Sequence, residues 1–117
     1  MKTFDLDDMR FNDSATAFLF EGGKRAGIDI SMFVVRTAPG GSVELHTHPY
    51  SETFLLLEGE GRWTAGDSVV ELHPDSMLVV PPETPHGFRN IGEVPLLLVT
   101  VHESGTLQQT FLGVEPA

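Results

Sequence analysis

The chain has 117 residues, 40% of them hydrophobic and 21% charged, which is enough to bury the core of one domain. Its formal net charge of −10 argues against nucleic acid and anionic membrane surfaces as partners, because both require a basic face. The absence of cysteine excludes disulfides, thiolate zinc sites and cysteine nucleophiles.

The N-terminal residues predict no export signal, since "MKTFDLDDMR" is acidic and has no apolar core. No apolar stretch approaches the ~20 residues that a membrane-spanning helix requires. We therefore expect a cytoplasmic protein. The sequence shows no linker and no internal repeat, so we expect a single domain over residues 1–117. The acidic net charge fits a protein whose substrate is a small molecule.

Short runs rich in β-branched and aromatic residues recur along the chain between clusters of Gly, Pro, Asn and Asp, a pattern typical of an all-β sandwich or barrel. Only residues 5–14 are ambiguous, and they fit either a frayed lead-in or a helical turn. The predicted strands are residues 15–21, 28–36, 42–48, 52–58, 61–65, 68–72, 77–81, 85–90, 95–102 and 106–112.

Two histidines in the third predicted strand form the start of a candidate metal site. His46 and His48 are two residues apart, so in an extended strand their side chains point to the same face. The segment 49–51 can turn the chain and bring Glu52 back to the start of the next strand, and His86 offers a third imidazole. Nitrogen and carboxylate ligands together suit a first-row transition metal rather than Ca²⁺ or Mg²⁺, which prefer oxygen ligands.

Two separated patterns resemble the conserved motifs of the cupin superfamily. The first contains Gly40, His46, His48, Glu52 and Gly59, and the second contains Asp75, Pro81, Glu83, His86 and Asn90. Asp75 and Glu83 stand where the family usually has glycines that serve turns. Asp tolerates a left-handed backbone fairly well, whereas Glu does not.

The resemblance covers about residues 35–102. It implies an all-β, cupin-type double-stranded β-helix (a jelly-roll barrel), with a metal site of three histidines and one glutamate carried onto His46, His48, Glu52 and His86. It also implies a homodimer. A physical reason for pairing is that strands 15–21 and 106–112 would otherwise be apolar edge strands.

Four further residues are candidates for the wall of a substrate pocket. Phe54 has the strand parity of Glu52 and Phe88 that of His86, although ordinary core packing explains both equally well. Tyr50 and His102 are also candidates, but an exposed loop aromatic and an exposed strand end are the more ordinary interpretations.

The strand pattern also offers a second carboxylate near the metal. Glu44 lies two residues before His46 and so shares its predicted face; a place at the mouth of the barrel is at least as well supported.

The predicted function is that of a metal-dependent enzyme, with a dioxygenase acting on a small oxygenated organic molecule as the leading hypothesis. The cofactor is one divalent transition metal per chain, and Fe, Mn, Ni, Zn, Co and Cu all accept this set of ligands. No catalytic residue is identified, although Glu52 can act as a proton shuttle. The alternatives are a non-redox isomerase, cyclase or lyase, and a non-catalytic module that binds a small molecule or a metal.

Overall fold

A computed structural model describes all residues 1–117 and consists mainly of ten β-strands. The strands predicted over 52–58, 61–65 and 68–72 have these bounds in the structure, whereas the last one, predicted over 106–112, contracts to two residues. The ambiguous N-terminal segment forms two short 3-10 turns, Leu6–Met9 and Phe11–Asp13, and one helical turn, α1, spans Gly22–Arg25. The strands are β1 (Ala17–Glu21), β2 (Ser31–Thr37), β3 (Ser42–Thr47), β4 (Glu52–Glu58), β5 (Gly61–Ala65), β6 (Ser68–Leu72), β7 (Met77–Val80), β8 (His86–Asn90), β9 (Leu96–His102) and β10 (Thr110–Phe111).

The strands form two five-stranded antiparallel sheets, with the orders β1-β2-β9-β4-β7 and β10-β3-β8-β5-β6. The sheets pack face to face, as the contact between Phe54 of one sheet and Trp63 of the other shows (ring centroids 5.7 Å apart). This arrangement confirms the predicted all-β jelly-roll architecture. The helical segments lack the length and the apolar character that a membrane-spanning helix requires.

The interior of the barrel is arranged in layers, because alternate residues of each strand point inward. In β9 every second residue from Leu96 to His102 is buried. The register between β4 and β9 pairs Glu52 with His102, Phe54 with Thr100, and Leu56 with Leu98. The interior therefore changes from charged to apolar within two steps of the pleat. We call the Glu52–His102 side the polar end and the Leu56–Leu98 side the closed end.

The turns at Asp75 and Glu83 keep the left-handed backbone that glycine would favour, with φ of 69° and 60°. The Asp75 N–H donates to the Leu56 carbonyl at 2.8 Å, and the Glu83 N–H donates to the His48 carbonyl at 2.8 Å. The turn at Asp75 is thus hydrogen-bonded to β4 at the closed end of the barrel, and the turn at Glu83 is hydrogen-bonded to the residue that follows β3 at the polar end.

The edges of the two sheets are β1 and β7 in one sheet and β10 and β6 in the other. Both strands that the sequence suggested as apolar edges, β1 and β10, therefore lie at edges. The edge strand β7 also presents Met77 and Val79, which are 63% and 60% exposed. The homodimer stays a prediction.

Candidate metal centre

Four buried side chains meet at the polar end of the barrel. His46 and His48 come from β3 and the residue that follows it, Glu52 from the first position of β4, and His86 from the first position of β8. All four are at most 6% exposed, and their ligand atoms lie within 4.8 Å of one another. The structure therefore brings together the four residues that the two sequence motifs indicated.

Each of the three imidazoles is oriented by a backbone carbonyl. Nδ1 lies 2.8 Å from the carbonyl oxygen of Glu44 for His46, of Gln108 for His48, and of Thr84 for His86. A carbonyl oxygen can only accept a hydrogen bond, so each Nδ1 carries the proton. In the neutral imidazole the lone pair is then on Nε2, the arrangement found in histidines that bind metals.

The Nε2 atoms face a carboxylate that has no proton to offer. Oε1 of Glu52 lies 3.0 Å from Nε2 of His48 and 2.9 Å from Nε2 of His86. With Nδ1 protonated, a neutral ring would place a lone pair against an oxygen lone pair at this distance. The arrangement is favourable only when a cation, either protons or a metal ion, lies among these atoms.

The distances from the Glu52 carboxylate to two of the three imidazoles fit a metal ion. Two ligands at right angles on an ion with bonds of ~2.1 Å are about 3 Å apart, which is the separation of Oε1 from each of the two Nε2 atoms. Three nitrogens and one carboxylate oxygen are a donor set for a first-row transition metal. The residues present therefore fit the group that the motifs imply.

A second chain of contacts holds the other oxygen of Glu52. Nε2 of His102 lies 2.9 Å from Oε2, a short contact that is poorly directed for a hydrogen bond. Nδ1 of His102 lies 2.8 Å from the hydroxyl of Tyr50, which also accepts the Gln108 N–H at 3.2 Å. Oε2 of the carboxylate can only accept a hydrogen bond, so the ring proton of His102 is on Nε2. Nδ1 is then an acceptor, and the Tyr50 hydroxyl donates its single proton to it.

Two of the ordinary interpretations of the sequence are therefore wrong. His102 is not an exposed strand end, because it is 1% exposed, and Tyr50 is not an exposed loop aromatic, because it is 8% exposed. Tyr50 stacks on His48 with ring centroids 5.1 Å apart. It lies behind the histidines rather than in the wall of the cavity.

Burial and hydrogen bonding shift the pKa values of His46 and Glu52 so that the imidazole is neutral and the carboxylate is ionised, the forms that bind a cation. Burial lowers the pKa of His46 to about 4, against the opposing effect of its bond to the Glu44 carbonyl, so this ring is neutral at pH 7. Burial alone would raise the pKa of Glu52, but the contacts from His102, His48 and His86 outweigh it and hold the pKa well below its ordinary range. Burial also raises the pKa of Tyr50.

A cavity of about 210 Å³ opens beside the centre. Phe54 and Phe88 line it, as the strand parity predicted, and so does His102. Nine of its fourteen lining residues are hydrophobic and none is Lys or Arg. The wall consists of Phe11, Ala17, Phe33, Val35, Val43, His46, Glu52, Phe54, Phe88, Leu98, Thr100, His102, Gln109 and Phe111.

Glu44 does not lie beside the metal ligands. The prediction that it supplies a second carboxylate near the metal, because it shares the strand face of His46, is therefore wrong. The pairing of β3 with β8 shifts between Val43 and His46, so that three steps along β3 match two along β8. This bulge turns Val43 to the inner face and leaves Glu44 exposed. Only the backbone carbonyl of Glu44 contributes to the site, through His46.

Several lining residues were not identified from the sequence. Phe11, Gln109 and Phe111 come from segments near the two termini, which the motifs do not cover. Thr100 had a usable signal, because it lies two residues before His102 and therefore shares its face. Val43 had none, since its orientation depends on the bulge.

A family model described as "Cupin domain" matches residues 33–102. The uncharacterized protein MJ1618 of Methanocaldococcus jannaschii is 34% identical over 74 residues, which cover 62% of this chain and 59% of that protein. The uncharacterized HTH-type transcriptional regulator YobQ of Bacillus subtilis is 38% identical over 56 residues, 48% of this chain and 23% of that protein. The chain thus spans less than two thirds of either relative.

Solved structures with the same fold include oxalate-converting enzymes. An oxalate decarboxylase of Bacillus subtilis superposes with a TM-score of 0.82 at 21% identity, covering 93% of this chain and 31% of that one. An oxalate oxidase in complex with glycolate gives a TM-score of 0.77 at 18% identity, covering 94% and 62%. At these identities the likeness is one of fold.

Proposed function

This chain belongs to the cupin family, and from that premise we propose that it is a metal-dependent enzyme, a dioxygenase in the first instance, acting on a small oxygenated organic molecule. The observation that carries the proposal is the convergence of three Nε2 atoms and one carboxylate at the end of a mainly apolar cavity. Such a centre leaves positions free for exogenous ligands when the ion takes six.

The residues that would hold the ion are His46, His48, Glu52 and His86. When bound, a divalent transition metal supplies Lewis acidity and, if it is redox-active, one-electron chemistry toward dioxygen. Of the four, His46 and Glu52 also border the cavity. A substrate in the cavity would therefore lie against the charged end of the barrel.

The chain's own residues have three tasks in this proposal. The carbonyls of residues 44, 84 and 108 fix the tautomers of the histidines, so that the ligand atoms are preorganised. The aromatic walls exclude water and hold a flat apolar molecule. His102 contacts the second carboxylate oxygen of Glu52, and Tyr50 orients His102, so the carboxylate is held in place and stays ionised.

The structural neighbours support metal-dependent chemistry in this fold. The oxalate decarboxylase of Bacillus subtilis contains Mn(II) centres. The cavity of this chain, however, has no Lys or Arg in its wall. A dianion such as oxalate would have only the metal to balance its charge, so we do not carry that substrate over.

The experiment is elemental analysis of protein purified without chelators, followed by measurement of oxygen uptake with a panel of enolic and phenolic compounds. We expect one transition metal per chain and uptake with at least one compound. The Glu52→Gln variant should lose both, while the matched variant Glu44→Gln, which changes an exposed carboxylate next to His46 in sequence, should keep both.

Two results would contradict this proposal. A metal-loaded protein that consumes no oxygen with any compound is not a dioxygenase of this class. Turnover without oxygen by the zinc-loaded protein would instead establish a non-redox isomerase, cyclase or lyase, in which Glu52 and His102 transfer protons.

A non-catalytic ligand-binding module is the second candidate, because part of the chain is similar to part of the regulator YobQ. A module of this kind would bind a metabolite without converting it. Titration of a metabolite library against the metal-loaded protein and the His46→Ala variant separates the two. Tight binding that survives the loss of the metal, with no turnover, would favour the module.

A further inference from the structure

The hydroxyl of Thr100 is a buried polar group without a partner. Thr100 is 2% exposed, and its Oγ1 makes no hydrogen bond within the protein. Burying a hydroxyl without a partner costs free energy, so nearly all such groups are paired in folded proteins. Thr100 lines the cavity, but its Oγ1 has almost no accessible surface, so a molecule bound there can pair with the hydroxyl only when the side chain turns about χ1 toward it.

The position of Thr100 sets the distance at which it can act. In the sheet its Cα partners are Phe33 on β2 and Phe54 on β4, both of which line the cavity. Two residues further along β9 is His102, opposite Glu52. Thr100 therefore lies one repeat of the pleat, ~6–7 Å, from the polar end, between two aromatic walls.

The charge of the wall restricts the ligand. Besides Glu52 and the histidines, the only polar lining residues are Thr100 and Gln109. No basic side chain is present to pair with a second negative charge, and a charge buried without a partner is unfavourable. The cavity of about 210 Å³ is also smaller than the ~300–1,000 Å³ of sites for drug-sized ligands.

We propose that this cavity selects a compact, uncharged, flat molecule with an oxygen directed to the polar end and a second hydrogen-bonding group that pairs with the Thr100 hydroxyl. The inference rests on the proposed function in one respect, since it takes the polar end as the reacting end. It adds the substrate class and names Thr100 as the residue that determines specificity.

The experiment compares phenol with hydroquinone, which has a second hydroxyl at the opposite end of the ring, and with oxalate. Calorimetry on zinc-loaded protein under nitrogen measures binding alone, so the outcome does not depend on whether the protein consumes oxygen. We expect wild-type protein to bind hydroquinone roughly tenfold more tightly than phenol, as one added hydrogen bond allows, and oxalate more weakly than either.

The matched variants are Thr100→Val, which keeps the shape but removes the hydroxyl, and Thr100→Ser, which keeps the hydroxyl. Thr100→Val should reduce the preference for hydroquinone to less than about twofold, whereas Thr100→Ser should retain it. Without ligand, Thr100→Val should also melt at a higher temperature than wild type, because it removes an unpaired buried hydroxyl.

Four results would overturn the inference. The first is no binding of phenol and hydroquinone to wild type, and the second is an equal preference for hydroquinone in wild type and Thr100→Val. The third is oxalate as the tightest ligand. The fourth is a lower melting temperature for Thr100→Val, which would show that the hydroxyl has a structural partner such as a buried water.

Discussion

The same strands build both ends of the barrel interior, yet the two ends are held together by different forces. At the closed end Leu56, Trp63 and Leu96 have no measurable exposure and pack against one another in one apolar cluster. At the polar end the four candidate ligands and His102 are also buried, at most 6% exposed, but their ring nitrogens and carboxylate oxygens face one another.

This difference indicates where stability and function are located. Burying apolar surface is favourable in any state of the protein, whereas burying imidazoles and a carboxylate is unfavourable unless a cation balances them. We therefore expect the closed end to account for the stability of the metal-free barrel. The polar end should cost stability until a metal binds.

The largest expected effect is at the closed end. Leu56→Ala removes a side chain with no exposed surface and should lower the free energy of unfolding of the metal-free protein by about 2–5 kcal/mol. The metal content of the folded protein should not change. Urea denaturation checks the first point and elemental analysis the second.

The matched control is the next residue in the chain. Leu57 is 38% exposed, so Leu57→Ala should cost less than about 1 kcal/mol. Similar losses in the two variants would mean that the closed end does not determine stability as we describe.

Acid should weaken the polar end selectively. The pKa of His46 is about 4 in the folded protein, below its ordinary value of 6.5. Between these values the unfolded chain binds a proton that the folded one does not, so stability falls as the pH falls from 6.5 to 4, by up to about 3 kcal/mol.

Denaturation of the metal-free protein at a series of pH values measures this effect. The His46→Gln variant should lose the part of the slope between pH 6.5 and 4, whereas Leu56→Ala should be destabilised by the same amount at every pH. Metal content after dialysis should likewise be lower at pH 5 than at pH 8, because protons and metal compete for imidazole nitrogens. Equal metal content at the two pH values would refute that competition.

Glu52→Gln should separate function from stability. The amide removes the negative charge, and its NH₂ group can donate to the lone pairs on Nε2 of His48 and His86. Metal affinity should fall by about 100-fold or more, which is roughly 2.7 kcal/mol. The stability of the metal-free protein at pH 7 should stay within about 1 kcal/mol of wild type. A large loss of stability would show that the carboxylate holds the fold together without a metal.

The sequence predicted what depends on local pattern and missed what depends on distant pairing. The bounds of β4, β5 and β6 follow from alternation and turn residues. His102 is buried because its strand pairs with the strand of Glu52, fifty residues earlier in the chain. Tyr50 is held by the backbone N–H of Gln108, and Glu44 is turned outward by a bulge against β8. No local pattern contains that information.

The smallest expected effects concern the two left-handed turns, one at each end of the barrel. Glu83→Gly should stabilise the protein by about 1 kcal/mol, because glycine adopts φ near 60° without the clash that a Cβ causes. Asp75→Gly should gain less, about 0.5 kcal/mol or under, since Asp is among the residues that tolerate this conformation. Thermal or urea denaturation of the metal-free variants compares the two.

The side chain of Glu83 must be separated from its backbone in this test, because it is exposed and negatively charged in a protein of net charge −10. Glu83→Ala removes the charge but keeps the Cβ, so a purely conformational effect predicts that this variant remains as strained as wild type. If Glu83→Ala stabilises the protein as much as Glu83→Gly does, the gain comes from relieved charge repulsion. If only Glu83→Gly does, the turn that anchors His48 at the polar end is strained, and the polar end carries a conformational cost in addition to its electrostatic one.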